Sequence, residues 1–230
     1  MCGRFTLSPS PEVLAEVFQL AAVPDLSPRY NIAPTQSIAA ILQTESGRYC
    51  KLLRWGLIPA WAKDPQMGAR LINARSETVA EKPSFRSAFR QRRCLIPADG
   101  FYEWQRTKTG KQPFYFRMQD GSPFAFAGLW ERWQGNGTTE AINTCTILTT
   151  EANSLLKPIH DRMPVILQPQ DYATWLAPTT TQGNVLQSLL RPYEAALMTA
   201  FPVTSQVNYP GNDTPDCIQA DRSQIDAGLL

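Results

Sequence analysis

Residues 94–130, CLIPADGFYEWQRTKTGKQPFYFRMQDGSPFAFAGLW, decide the fold class. The stretch reads as short runs of apolar and aromatic residues at 94–97, 101–105, 113–118 and 124–130. Turns at Thr109-Gly110 and Asp120-Gly121 interrupt them. A further strand is expected at 144–149, beyond a Gly135-Asn136-Gly137 turn. Upstream, 37–42 and 49–55 flank Glu45-Ser46-Gly47 as a hairpin. Helices are expected where the apolar period lengthens: after Ser10 (Pro11, Glu12, then Leu14, Val17 and Phe18), and over 83–92, 151–157, 169–176 and 185–190. Many strands with interspersed helices, in no regular βαβ rhythm, mean an α+β fold. The 19 prolines are spread among the connections and no linker-like segment divides the chain. One domain over 1–212 is expected, followed by an acidic, flexible tail over 213–230.

Composition narrows the function classes. A hydrophobic content of 43% and a charged content of 18% are ordinary for a soluble globular chain. No apolar run approaches the length needed to span a bilayer, and no secretory signal is visible, so a cytoplasmic protein without membrane association is expected. Five dispersed cysteines (2, 50, 94, 145 and 217) form no Cys-x-x-Cys pair and argue against a disulfide framework. Cys50, Cys94 and Cys145 lie in apolar runs and read as small core residues. With His160 the only histidine and no clustered ligands, neither a metal nor another cofactor is expected. The net charge is only +2, but through residue 118 there are 17 Lys+Arg against 9 Asp+Glu, and from 119 onward 5 against 11. Arginine outnumbers lysine 16 to 6, and its planar fork suits phosphate oxygens. The densest basic run, 82–93, reads either as a solvated helix face or as part of a polyanion-binding surface.

The N-terminus carries the chemistry. In Met-Cys-Gly-Arg-Phe the second residue is small, so Met1 is expected to be removed, leaving Cys2 with a free α-amine. Such a 1,2-aminothiol has an amine and a thiol that are both partly nucleophilic near neutrality. The amine condenses with an aldehyde to an imine, and the thiol two carbons away closes a five-membered thiazolidine on it. The bland alternative is an early residue on a frayed terminus. Three other places offer partners. Glu103 sits between aromatics in ADGFYEW (98–104), where an apolar setting would make it a usable proton donor and acceptor. His160 lies in HDRMPVIL (160–167). Asn73, Arg75 and Glu77 alternate in INARSET (72–78) and would share one face if that run is extended. Each has an ordinary structural alternative: a satisfied histidine, an outward strand residue, the wet side of a sheet.

Together with MCGRF (1–5), RYNIAP (29–34) and WGLIPAWA (55–62), these motifs occur in an order that resembles the SRAP (SOS response-associated peptidase) family of abasic-site processing proteins. The resemblance runs from Met1 to about Asn208. It implies an α+β fold with a curved, barrel-like, mainly antiparallel β core. It also implies a DNA-damage function: covalent capture of abasic sites in single-stranded DNA by the mature Cys2. The family's peptidase label implies autoproteolytic removal of Met1, with a general aminopeptidase as the alternative, and crosslink reversal or AP-lyase activity; a monomer that acts at the nucleoid is expected. By resemblance Cys2 is the nucleophile, and Asn73 holds the α-amine and sugar. Glu103 moves protons, and His160 helps open the deoxyribose. Arg4, Arg75 and Arg162 match phosphate-contacting positions. Pro34 and Trp61 match elements that interrupt or stack on bases, although Ala62 stands where some relatives carry a second aromatic. Two alternatives remain at this level. An amidotransferase-type N-terminal-nucleophile hydrolase shares Met-Cys-Gly but not the later motifs. A non-covalent single-strand binding module would not need Cys2.

Overall fold

In the computed structural model, which describes residues 2–108, 110–135, 140–180 and 182–221, strands dominate and helices are short. In chain order the first half contains β1 (Phe5–Leu7), α1 (Pro11–Phe18), β2 (Arg29–Ile32), β3 (Ser37–Thr44), β4 (Gly47–Trp55), β5 (Asn73–Arg75) and α2 (Arg86–Gln91). The centre is β6 (Arg93–Ala98), β7 (Gly100–Thr107), β8 (Gly110–Met118), β9 (Phe124–Trp133) and β10 (Ile142–Glu151). Last come β11 (Arg162–Pro164), β12 (Ile166–Leu167), α3 (Tyr172–Leu176), α4 (Gly183–Ser188) and β13 (Met198–Pro202).

Two sheets result. One runs β13-β8-β7-β1-β2 and is antiparallel throughout. The other runs β11-β10-β4-β3-β6-β9-β12, and β10 also pairs with β9. That extra pairing closes β10-β4-β3-β6-β9 into a ring, which leaves these strands no free edge. Most pairs are antiparallel, but β10 runs parallel to both β4 and β5. The fold is thus α+β with a curved, closed β core in a single domain. Aromatic residues fill the space between the sheets: Phe5 meets Trp55 and Phe126 edge-on, and Phe101 stacks on Phe116 at 5.1 Å. At Gly100 an added Cβ would fall 2.1 Å from the Tyr115 hydroxyl, so glycine here leaves the room that the Tyr115 side chain occupies.

Several sequence expectations change. Residues 151–157 are not a helix: β10 continues to Glu151, and consecutive turns follow, in which Lys157 N–H donates to Asn153 O and Leu156 N–H to the Asn153 side chain. Asn153 and Pro158 favour turns over a continuing helix. The extended run at 72–78 stops at Arg75, so Glu77 lies on a turn and not on one face with Asn73. The helix expected over 83–92 begins only at Arg86. Residues 109, 136 and 137 of the expected turns lie outside the described residues, as does Met1. Of the expected tail, 213–221 packs on the body with Cys217 buried, and 222–230 lies outside the described residues.

Candidate functional site

The segment leading into β1 carries Cys2, and its surroundings are built by three elements. Antiparallel pairing sets Phe5 opposite Phe101 and Thr6 opposite Gly100, and Tyr102 N–H donates to Arg4 O at 3.0 Å. The neighbouring β7 residue is Glu103, 3% exposed. From β5, Asn73 Nδ2 donates to the Cys2 carbonyl at 2.8 Å, while Asn73 Oδ1 is buried without a hydrogen-bond partner. The Cys2 side chain is 0% exposed, and its thiol leans towards Arg4 O at 3.8 Å. Burial pushes this thiol far above its ordinary value of 9.0, and the charge of Glu103 pushes in the same direction. The thiol is therefore neutral at physiological pH. A buried neutral thiol can still react if its proton has somewhere to go.

His160 follows the turns after β10. Its Nδ1 accepts from Arg162 N–H at 2.9 Å, and the Asp161 carboxylate lies 3.0 Å from the same nitrogen. With Nδ1 accepting, the neutral imidazole carries its proton on Nε2; protonation of Nδ1 would turn that nitrogen to Asp161 instead. The imidazole forms a wall shared by two cavities. One, of about 580 Å³, is lined by Glu103, Trp104, Lys111 and His160 among others. The other, of about 600 Å³, is lined by Arg75, Glu77, Thr78, His160, Asp161 and Arg162. A third, of about 390 Å³, shares Trp104 and Lys111 with the first and adds Gly3, Arg4, Pro34 and Asn208. Shared walls make the three a succession of hollows passing Glu103 and His160. Beside Pro34, Thr35 has φ 72, a strained value for a β-branched residue; its N–H donates to Trp55 O at 2.8 Å and holds the turn in place.

The arginines behave differently from one another. Arg75 is exposed on its cavity. Arg162 makes a bidentate pair with Glu77, at 2.5 and 3.0 Å, and also donates to Thr149 O. The Arg162 hydrogen bonds hold Glu77 below the ordinary carboxylate range. Arg4 is committed to Asn31, Val207 and Asn208. Trp61 is 57% exposed, with its indole N–H 3.4 Å from Pro83 O, and lines none of the three cavities. Within the basic run, Arg93 is buried and Arg92 pairs with Glu131 at 2.8 Å, so these two are structural, while Lys82, Arg86 and Arg90 stay exposed. Sequence reasoning missed Trp104, Lys111, Asn31 and Asn208. Asn31 and Trp104 had a signal, their places inside RYNIAP and ADGFYEW. Among the described residues there is no cluster of His, Cys, Asp or Glu suited to a metal ion, and no helix is long and apolar enough to cross a membrane.

A family model described as SOS response associated peptidase (SRAP) matches residues 1–210. Abasic site processing protein YoqW of Bacillus subtilis (strain 168) is 47% identical over 228 residues, covering 96% of this chain and 100% of that protein. Abasic site processing protein YedK of Escherichia coli (strain K12) is 32% identical over 182 residues, covering 76% and 79%. The crystal structure of a protein from Bacteroides thetaiotaomicron superposes with a TM-score of 0.85 at 27% identity, covering 96% of this chain and 100% of that one.

Proposed function

The chain belongs to the SRAP (SOS response-associated peptidase) family, and from that premise we propose that it captures abasic sites in single-stranded DNA as a covalent adduct on Cys2. The observation that carries the reading is the grip of Asn73 on the Cys2 backbone beside Glu103, at the edge of hollows lined by basic side chains.

The chemistry follows from those groups. While Met1 is attached, the Cys2 nitrogen is an amide and cannot condense with an aldehyde. After its removal, the amine adds to C1′ of the ring-opened deoxyribose, and the carbinolamine loses water to give an imine. The thiol sulfur then bonds to the imine carbon, and the thiol proton ends on nitrogen. Water is the only by-product, and the product is a thiazolidine. Glu103 takes and returns protons in these steps and in their reversal. His160, through the Nε2 proton, assists opening of the sugar at its ring oxygen. Asn73 Oδ1, now without a donor, accepts from the freed α-amine. Arg75 faces phosphates while Glu77 holds Arg162 back from them, and Pro34 and Trp61 interrupt and stack on bases; such contacts position a strand without reading its sequence. The test is intact mass after incubation with an abasic single-stranded oligonucleotide. The Met1-free protein should gain the mass of the oligonucleotide less one water. A protein that still carries Met1 should gain none, and Cys2→Ala, which keeps the α-amine but has no thiol to close the ring, should give only a labile imine that is lost on work-up. A full-yield adduct on the Met1-bearing protein, or a stable one on Cys2→Ala, would refute the reading, and no adduct on the Met1-free protein would leave a non-covalent binding module as the better one.

A further inference from the structure

Arg4 lines the third cavity, yet its guanidinium is engaged within the fold. Its Nη1 donates to Asn31 Oδ1 at 2.8 Å and to Val207 O at 2.6 Å; its Nη2 donates to Asn208 O at 3.3 Å. The guanidinium carbon lies 5.9 Å from the centre of the Trp104 ring, and the Trp104 indole N–H donates to Asn208 Oδ1 at 2.7 Å. Asn31, 0% exposed, completes the assembly: its Nδ2 reaches Val207 O, Tyr209 O and Asn212 O at 2.8–3.1 Å. One oxygen of the Asp213 carboxylate accepts from the Tyr30 and Asn31 N–H groups, and the other accepts from Arg29. Residues 207–213 are thereby tied to β2 and, through Arg4, to the N-terminal segment. The Arg4 carbonyl in turn receives Tyr102 N–H, next to Glu103, and faces the Cys2 thiol.

We propose that Arg4 is a positioning residue for Cys2: with Asn31 and the 207–213 segment it fixes the N-terminal segment against β7, and it acts on the rate of capture and not on DNA affinity. The proposal rests on the function given above. Three acceptors in different directions require the rigid fork of arginine, which the single ammonium of lysine cannot reproduce. Lysine would still serve a phosphate, as a point charge. The two roles therefore predict opposite behaviour for Arg4→Lys.

The experiment compares Met1-free wild type, Arg4→Lys, Arg4→Ala and Asn31→Ala in three measurements. These are the rate of adduct with an abasic single-stranded oligonucleotide, the rate of adduct with propanal, which has no phosphate, and the Kd for an intact single strand at several salt concentrations. Arg4→Lys and Asn31→Ala should slow both adducts about 10–100-fold, the cost of misplacing a reacting group by about an ångström. Kd should stay within about twofold and its salt slope unchanged, since no phosphate contact is lost. Thermal melting verifies folding, and if Arg4→Ala is unfolded the lysine variant decides. Wild-type capture rates in Arg4→Lys would overturn the proposal. So would an unchanged propanal rate in a folded Arg4→Ala whose salt slope has fallen by about 0.7, one single-strand phosphate. Absence of any wild-type adduct would instead refute the function itself.

Discussion

Arg93, at the end of the basic run, is the place where a charge-based reading and a structural one part most sharply. Its side chain is buried at 4% exposure and donates to Trp175 O (2.6 Å), Phe89 O (2.8 Å), Arg90 O (2.6 Å), Ala177 O (2.5 Å) and Thr180 O (3.2 Å). Phe89 and Arg90 belong to the last turn of α2, and Trp175 and Ala177 to the end of α3. One cation thus satisfies the unpaired carbonyls of two helix ends. Burial lowers its pKa, yet guanidinium is so strongly basic that it remains charged. Arg93→Met keeps most of the volume but removes every donor. Two of the abandoned carbonyls, Trp175 O and Phe89 O, make their bonds to Arg93 in buried surroundings, and each unsatisfied buried acceptor costs about 1–3 kcal/mol. Relief of guanidinium desolvation offsets part of the resulting sum of about 2–6 kcal/mol, leaving about 1–4 kcal/mol. At about 2–4 °C per kcal/mol for a chain of this size, Tm should fall by about 2–16 °C. Calorimetry on the wild type and Arg93→Met reads it, alongside the salt slope of single-strand binding, which should not change. A Tm loss below about 2 °C, or a shallower salt slope at unchanged Tm, would refute the structural assignment.

Four further outcomes follow from the site and the core. Glu103→Gln should slow both capture and release from preformed adduct by about 10²–10⁴-fold, since one proton carrier serves both directions; His160→Ala should slow capture of a closed-ring abasic sugar far more than of an open-chain aldehyde. Undiminished release in Glu103→Gln, or equal slowing of both aldehydes in His160→Ala, would count against these roles. Glu77→Gln should free Arg162 for phosphate and steepen the salt slope of single-strand binding by up to about 0.7. Because Arg162 holds the Glu77 pKa down, the pair persists above the ordinary carboxylate pKa and is lost as pH falls through the lowered one. Wild type should therefore approach Glu77→Gln in acid, and a shallower slope in the variant would contradict the pairing. Burial raises the pKa of Cys94 and Cys145 above 9.0, so the fold keeps both protonated while the unfolded chain ionises. Their contribution is whole below the ordinary value and declines as pH rises through it, by about 1.4 kcal/mol per pH unit for each thiol. Denaturant midpoints between pH 8 and 10.5 should show the decline, and a Cys94→Ala, Cys145→Ala protein should show a flatter one.

How much of this was legible in the chain depends on how far each contact reaches. The strands over 94–149 and the 37–55 hairpin are local events, written as apolar runs and Gly turns, and α1 starts where Pro11 follows Ser10. The closure of the ring is not local: it needs β10 to pair with β4 and β9 at once, and its parallel register with β5 sets Asn73 opposite Ile147. No periodicity announces such a pairing, because a strand buried on both sides reads the same whichever neighbour it takes. The site divides the same way. Cys2, Glu103 and His160 were visible because few residue types can perform their chemistry. The environment of Arg4 was invisible because its partners are mostly backbone carbonyls, which carry no sequence signature, and one of them lies 203 residues away. For the same reason the basic run could not be apportioned in advance. Arg93 and Arg90 have the same side chain, and only the two helix ends converging on Arg93 make one a core residue and leave the other at the surface. Charge counts therefore overstate the surface open to a polyanion: Arg4, Arg92, Arg93 and Arg162 all enter the total while their guanidinium groups are engaged within the fold. What is left facing the hollows is Arg75, Arg106 and Lys111, and a strand crossing Glu103 and His160 would meet those first.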